Sequence, residues 1–287
     1  MQVAKISPTS DAILRAGASV IGMNAPRVKH LLRILPPLIS VSLICAMASL
    51  VVGETATTRV PILVELFTSE GCSDCPPADA FLQKLDEQPF PGAEMIVLSE
   101  HVDYWNHIGW KDPYSSPLYS QRQEAYGREF ALGSVYTPQM VVDGTSEFVG
   151  SDRTAASKAF AQAISAPKIA IRLSSISIDP ANILRVHLET DALENGHSAD
   201  VYLAVARNHA VSQVSAGENA GRKLSHTAVV HVLSKAGSLQ EHRTFAQEIQ
   251  VKLPSDLPNN DLRLIAFVQQ VHQGRILGAT MQPVTPK

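Results

Sequence analysis

Apolar and polar residues alternate in two different patterns along the chain. Between residues 59 and 166, short apolar runs that predict strands alternate with segments of helical spacing. The predicted strands cover residues 60–67, 95–102, 139–142 and 147–149, and the predicted helices cover residues 78–85, 118–132 and 152–164. The resulting order is β-α-β-α-β-β-α, with a turn at Asp143-Gly144 before the last strand. The βαβ start predicts parallel strands with a right-handed crossover, and the hairpin adds an antiparallel edge.

After Pro167 the pattern changes to short apolar runs with period-two alternation and little helix between them. These runs cover residues 169–178, 184–190, 201–207, 228–234, 243–251, 262–271 and 276–281. Seven short strands separated by turn-rich stretches predict an antiparallel β-sandwich. A length of 287 residues fits two domains, so we predict one domain at residues 58–166 and a second at residues 167–287. Within the second domain, residues 217–221 and His226 are expected to build a turn of the sandwich.

The N-terminal segment has a basic head followed by an uncharged, mostly apolar run. The head contains Arg27, Lys29 and Arg33, the run covers residues 34–53, and the small-x-small triplet Ala46-Met47-Ala48 lies near its end. This arrangement is typical of a secretory signal peptide. We therefore predict a signal peptide at residues 1–48 and an exported protein, either periplasmic or secreted.

Two alternatives concern the same segment. Translation from Met23 instead of Met1 would give the signal an ordinary length. The uncharged run is also just long enough to span a bilayer, which would make it an uncleaved anchor. Pro36-Pro37 and the alanine-rich end of the run favour cleavage. Beyond this signal or anchor, the sequence predicts no membrane association.

Charge and cysteine content reduce the number of functions that the sequence supports. Removing residues 1–48 takes away five basic residues and one acidic residue and leaves a net charge of −7, which argues against a nucleic-acid partner. The same cleavage removes Cys45, so Cys72 and Cys75 are the remaining cysteines. The sequence contains no P-loop, dinucleotide fingerprint or nucleophile–histidine–acid arrangement. We expect no cofactor.

The motif Cys72-Ser73-Asp74-Cys75 lies between a predicted strand and a predicted helix. Thiol exchange requires an exposed thiolate, a second thiol within reach and a field that stabilises the anion, and a helix N-terminus supplies that field. Pro76 and Pro77 fit the first helical turn, whose N–H groups have no partner within the helix. The motif therefore predicts thiol–disulfide exchange with a protein partner, in which Cys72 attacks and Cys75 resolves.

Two other roles are open for these cysteines. A static structural disulfide is one, although so short a loop gains less than the ~3 kcal/mol expected of a fifteen-residue loop. A copper or zinc site formed by Cys72, Cys75 and His101 is the other, since His101 lies at the end of the second predicted strand. In that alternative the protein is a metal- or partner-binding module and not an enzyme.

Several motifs resemble a known bacterial family. They are Val64-Glu65-Leu66-Phe67-Thr68-Ser69-Glu70-Gly71-Cys72-Ser73-Asp74-Cys75-Pro76-Pro77-Ala78-Asp79, residues 101–105 and 109–113, residues 135–139, and residues 218–222 with 224–226. The chain resembles in these segments the secreted, thioredoxin-like family catalogued as domain of unknown function 1223. The resemblance implies an α/β thioredoxin-like fold followed by an antiparallel β-sandwich, and it implies no particular substrate.

The likeness to thioredoxins also implies roles for three residues. Thr137 and Pro138 match a threonine and a cis-proline that lie opposite the cysteines and position a bound peptide. Glu65 matches a buried acid that relays protons to the second cysteine, with a solvent-facing edge position as the alternative. Separately, Trp105 and Asp103 belong to a polar and aromatic stretch that could form a substrate-binding wall or simply pack on the core.

Overall fold

The structure is a computed structural model that describes residues 59–194, 198–258 and 260–284. The predicted signal peptide at residues 1–48, the alternative start at Met23 and the alternative anchor all lie outside these residues. Within the described ranges, no helix has both the length and the apolar character needed to cross a membrane.

The described residues form eleven strands and three α-helices. In chain order these are β1 (Val60–Thr68), α1 (Pro76–Glu87), β2 (Ala93–His101), α2 (Pro117–Glu129), β3 (Gln139–Val142), β4 (Ser146–Val149), α3 (Arg153–Ile164), β5 (Ile171–Ile178), β6 (Ile183–Thr190), β7 (Ala199–Gln213), β8 (Lys223–Leu239), β9 (Phe245–Lys252), β10 (Leu262–Gln270) and β11 (Ile276–Val284). The predicted order of the first seven elements is confirmed, and each of the seven later runs forms a strand.

Eight of the strands form one mixed sheet in the order β11-β10-β7-β8-β2-β1-β3-β4. β1 and β2 are parallel, with Val60 opposite Ala93, and β3 and β4 continue as an antiparallel hairpin. On the other side of β2, β8 runs parallel to it and pairs at Ser99 and Val229. The remaining strands form a separate antiparallel sheet in the order β5-β6-β9.

This topology shows that the predicted fold class is wrong. An α/β thioredoxin-like fold followed by a separate β-sandwich requires the later strands to pair among themselves. Four of them, β7, β8, β10 and β11, instead extend the first sheet beyond β2. The physical reason is that β2 would otherwise be an exposed sheet edge, and β8 lies beside it and pairs with it at Ser99 and Val229. The division into domains at residues 166 and 167 stays a prediction.

The first half of β7 and nearly all of β10 are buried on both faces. Leu203 and Val205 of β7 pack in a cluster with β5, β6 and β9, whereas Ala204 and Ala206 pack in a cluster with α1 and α3. β10 behaves in the same way and is buried from Leu262 to Val268. A strand covered on both sides has no polar face, which explains the continuous apolar run of β10 from Leu264 to Val268.

Gly150, directly after β4, lies where the sheet meets the first turn of α1. A Cβ atom at this position would lie 2.7 Å from Leu66 Cδ1, 3.0 Å from Ala78 Cβ and 3.3 Å from Pro138 Cβ. The glycine therefore allows Pro138 and the start of α1, which follows the cysteine motif, to approach each other closely.

We expect Gly150→Ala to lower the free energy of unfolding by about 1–3 kcal/mol, because the added methyl group overpacks a buried contact. Gly133→Ala is the matched control, since a Cβ at Gly133 meets no atom within 4 Å, and its effect should stay within about 0.5 kcal/mol. Urea unfolding of both variants measures the difference. Equal midpoints for the two variants would contradict this packing argument.

Candidate functional site

Cys72 and Cys75 form a disulfide at the junction between β1 and α1, with their Cα atoms 5.4 Å apart. The two cysteines are almost fully buried, at 1% and 0% exposure, whereas Ser73 and Asp74 between them are exposed. Cys75 caps α1, and its carbonyl oxygen accepts the N–H groups of Ala78 and Asp79 at 2.9 and 3.1 Å. The predicted placement of the motif at a helix N-terminus is confirmed.

The loop that joins β7 to β8, residues 214–222, contacts the backbone of the cysteine motif. Asn219 is buried, and its Nδ2 donates hydrogen bonds of 2.9 Å to the carbonyl oxygens of Glu70 and Cys72. The neighbouring Glu218 accepts the N–H of Ser73 at 3.0 Å. Residues 217–221 were expected to build a turn of a sandwich. They do form a turn, but not of a sandwich, because the β7–β8 loop joins two strands of the mixed sheet. Its residues come from the second half of the chain and complete the surroundings of the cysteines.

A buried ion cluster connects both ends of the cysteine motif through His226 of β8. Glu70, two residues before Cys72, accepts hydrogen bonds from His226 Nε2 at 3.2 Å and from Trp110 Nε1 at 2.8 Å. His226 Nδ1 faces Asp79 Oδ2 at 3.7 Å, beyond hydrogen-bond distance, so Asp79 acts mainly through its charge. Asp79 lies in the first turn of α1, after Cys75. The same imidazole ring thus connects the chain before the motif to the chain after it.

The carboxylates beside His226 keep it protonated. Burial alone would lower the pKa of His226, but Asp79 and Glu70 together raise it to about 10. Sequence reasoning assigned His226 to a turn, although it belongs to one of the motifs that carry the family resemblance.

His101 is buried at the end of β2 and contacts the same cluster. Its Nδ1 lies 2.7 Å from Asp112 Oδ2, and its ring packs edge-on against His226 with centroids 4.7 Å apart. Burial raises the pKa of Asp112, but His101 and the N–H groups of Glu70 and Tyr114 hold that pKa below its usual range. His101 therefore packs between Asp112 and His226 in this buried cluster.

The alternative metal site of Cys72, Cys75 and His101 gains no support from this arrangement. The two cysteine sulfurs are bonded to each other. Across the ranges that the structure describes, no group of three or more His, Cys, Asp or Glu side chains could hold a metal ion.

Trp105 connects the cysteine motif to Thr137 and Pro138. Its Nε1 donates a 2.7 Å hydrogen bond to Thr137 Oγ1, and a Cβ on Gly71 would lie 3.0 Å from Trp105 Cβ. The Thr137–Pro138 bond is cis, as predicted. Asp103 is directed elsewhere, because its Oδ1 accepts a 2.5 Å hydrogen bond from Ser120 of α2. Substrate binding by Trp105, Asp103, Thr137 and Pro138 stays a prediction.

Glu65 is fully buried in β1, so its alternative solvent-facing position is wrong. Its two carboxylate oxygens accept hydrogen bonds of 2.6 Å from Arg122 Nε and Tyr126 Oη, both in α2. Arg122 Nε also lies 3.7 Å from a carboxylate oxygen of Glu100. Burial and the charge of Glu65 raise the pKa of Glu100 well above its usual range. A proton-relay role for Glu65 stays a prediction.

Comparison with known proteins adds a family assignment. Residues 63–269, more than half of the chain, match the family described as "Protein of unknown function (DUF1223)". The chain belongs to the DUF1223 family. The match includes the disulfide, the cis-proline and the β7–β8 loop, so these parts of the site all lie within the family's characteristic region. No curated protein matches the chain at a significant level.

Two solved structures resemble this DUF1223 protein over most of its length. Protein AGR_C_4864 from Agrobacterium tumefaciens has 25% sequence identity and a TM-score of 0.59, and the match covers 80% of this chain and 96% of that one. HBP35 of Porphyromonas gingivalis has 17% identity and a TM-score of 0.56, with 80% and 77% covered. The second likeness, at this low identity, concerns the fold alone.

The charge on His226 predicts a pH dependence of stability. Because its pKa rises from the ordinary 6.5 to about 10 on folding, its stabilising effect is complete below about pH 6.5 and is lost as the pH rises to about 10. Over that range the free energy of unfolding of the DUF1223 protein should fall by something on the order of a few kcal/mol, and His226→Asn should remove most of this fall. Urea unfolding at several pH values measures it.

The control for this experiment is His242→Asn. The His242 side chain is 74% exposed, and its positive φ of 56° suits asparagine. The His242→Asn variant should therefore keep the parent protein's pH dependence of the free energy of unfolding. The same pH dependence in both variants would show that His226 carries no buried charge.

Proposed function

We propose that this protein carries out thiol–disulfide exchange with a partner protein through Cys72 and Cys75. The observation that carries the proposal is the disulfide between two cysteines three positions apart, placed where β1 ends and α1 begins. The only other cysteine of the chain, Cys45, lies in the predicted signal peptide. A loop this short contributes little chain-entropy stabilisation, so stability alone is a weak reason for the bond.

In the proposed reaction the reduced protein attacks a partner disulfide. The Cys72 thiolate forms a bond to one partner sulfur, and the other partner sulfur leaves as a thiolate and takes up a proton. Cys75 then loses its proton and attacks Cys72 Sγ, which forms the intramolecular disulfide and releases the second partner thiol. The partner gains two electrons, and the protein ends in the disulfide form of this structure. A dithiol reductant must return it to the reduced form.

The proposal places this chemistry outside the cytoplasm. The predicted signal peptide would deliver the mature chain to the periplasm or the medium, where protein disulfides form and persist. An exported protein with a single exchangeable pair would meet partner disulfides there. We expect the partner chain to bind beside the motif at the half-buried Trp105 and Thr137, next to the buried Pro138.

We expect Cys75→Ser to accumulate mixed disulfides between Cys72 and its partners, since the resolving thiol is missing. Cys72→Ser is the matched control and should trap none, because the attacking thiol is absent. The measurement is non-reducing electrophoresis of the exported protein after rapid alkylation, with mass spectrometry of any adduct. Absence of adducts in Cys75→Ser would contradict exchange, and equal adducts in both variants would show that Cys72 is not the attacking residue.

A glutathione titration of the purified protein tests the pair without a partner. Exchange requires a reversible two-electron transition within the range of known oxidoreductases. A disulfide that stays closed below about −300 mV would indicate a structural bond instead.

A further inference from the structure

Two consecutive residues of the β7–β8 loop hold the single peptide group that follows Cys72. Asn219 Nδ2 donates to the C=O of Cys72 at 2.9 Å, and Glu218 Oε2 accepts the N–H of Ser73 at 3.0 Å. These two atoms belong to the same peptide unit, so both of its polar groups are bound by side chains from the other half of the chain.

The orientation of Asn219 is determined by its other contacts. Its second amide hydrogen is directed at the carbonyl oxygen of Glu70, and its Oδ1 accepts a 2.7 Å hydrogen bond from Arg222. The side chain is fully buried and all of its polar atoms have partners. The loop itself is closed by hydrogen bonds between Val214 and residues 221–222. Asn219 therefore holds the loop against the motif in one defined position.

Glu218 differs from Asn219 because it is exposed and charged. Backbone N–H groups near the start of a helix stabilise a cysteine thiolate, and the N–H of Ser73 is the one next to Cys72. In this structure that N–H is bonded to a carboxylate. The carboxylate both occupies the donor and brings a negative charge close to Cys72. Both effects disfavour a thiolate there and favour the disulfide.

We propose that Glu218 and Asn219 are positioning residues that control the reactivity of Cys72. Asn219 fixes the peptide unit, and Glu218 opposes the formation of the Cys72 thiolate, so that the disulfide is favoured over the dithiol. This inference rests on the proposed exchange function, since it concerns the same pair. It makes the β7–β8 loop the regulatory element of the site, and a partner that displaces Glu218 from Ser73 would activate the thiol.

The test compares Glu218→Gln with the control Glu129→Gln, at an exposed glutamate at the end of α2. Both changes are introduced into Cys75→Ser, which leaves Cys72 as the single thiol of the mature chain. The pH dependence of Cys72 alkylation by iodoacetamide then gives the pKa of the thiol. We expect Glu218→Gln to lower this pKa by about half a unit or more, roughly a threefold gain in thiolate, with no change for Glu129→Gln. A merely structural role of Glu218 would not move the titration.

A second measurement uses Asn219→Ala and the intact pair. In a glutathione buffer, Glu218→Gln should increase the equilibrium constant for reduction several-fold, and Asn219→Ala should speed reduction under native conditions. Identical titration of Glu218→Gln and Glu129→Gln would overturn the inference. So would a pair that remains unreactive in every variant, Asn219→Ala included.

These outcomes are separate from those of the exchange proposal. Partner adducts in Cys75→Ser together with an unchanged pKa in Glu218→Gln would leave exchange standing and remove the role of the loop. A lowered Cys72 pKa in Glu218→Gln without any partner adduct in Cys75→Ser would remove exchange and leave the role of the loop standing. The two readouts are independent because alkylation requires no partner.

Discussion

The parallel contact between β2 and β8 determines where the two halves of the chain meet. β2 pairs with β1 on one side, and its other side is covered by β8 at Ser99 and Val229. β8 begins at Lys223, and Val229 lies only three residues after His226. Pairing with β2 therefore holds this part of β8 against the sheet, and His226 and Asn219 both contact Glu70, just after β1. A shift of β8 along β2 would separate both side chains from Glu70 and Cys72.

Burial of charge is the second constraint, and the structure satisfies it with two groups that each place one cation between two carboxyl groups. Near the disulfide, Glu70 and Asp79 share the imidazolium of His226. On the α2 side, Arg122 faces Glu65 at 2.6 Å and Glu100 at 3.7 Å. Removing the cation of either group leaves a buried carboxylate uncompensated in a region of low dielectric constant, which is costly. The polar interior therefore specifies one arrangement of β1, α1, α2 and β8.

The sequence allowed the elements to be predicted, but not their partners. Periodicity reports whether a residue is buried, and it placed each strand of the second half. It does not report which sheet a strand joins, so β7 and β10 were assigned to a separate sandwich. Asn219 was missed because a polar residue between glycines is typical of an exposed turn, whereas here it is buried by contacts with residues about 147 positions away. The motif at residues 218–222 was the available signal.

The β7–β8 loop lies against the peptide group that follows the buried Cys72. β10 pairs with β7 only from Ala199 to Arg207, so the hairpin beyond that point has no β10 partner. The outer hairpin is held by its own pairing and by side-chain contacts, among them those of Glu218 and Asn219. Because Cys72 is almost fully buried, the proposed exchange requires this loop to release it. Asn219 and His226 hold the hairpin through buried contacts, so the exposed Glu218, bonded to Ser73, is the contact that a partner can displace first.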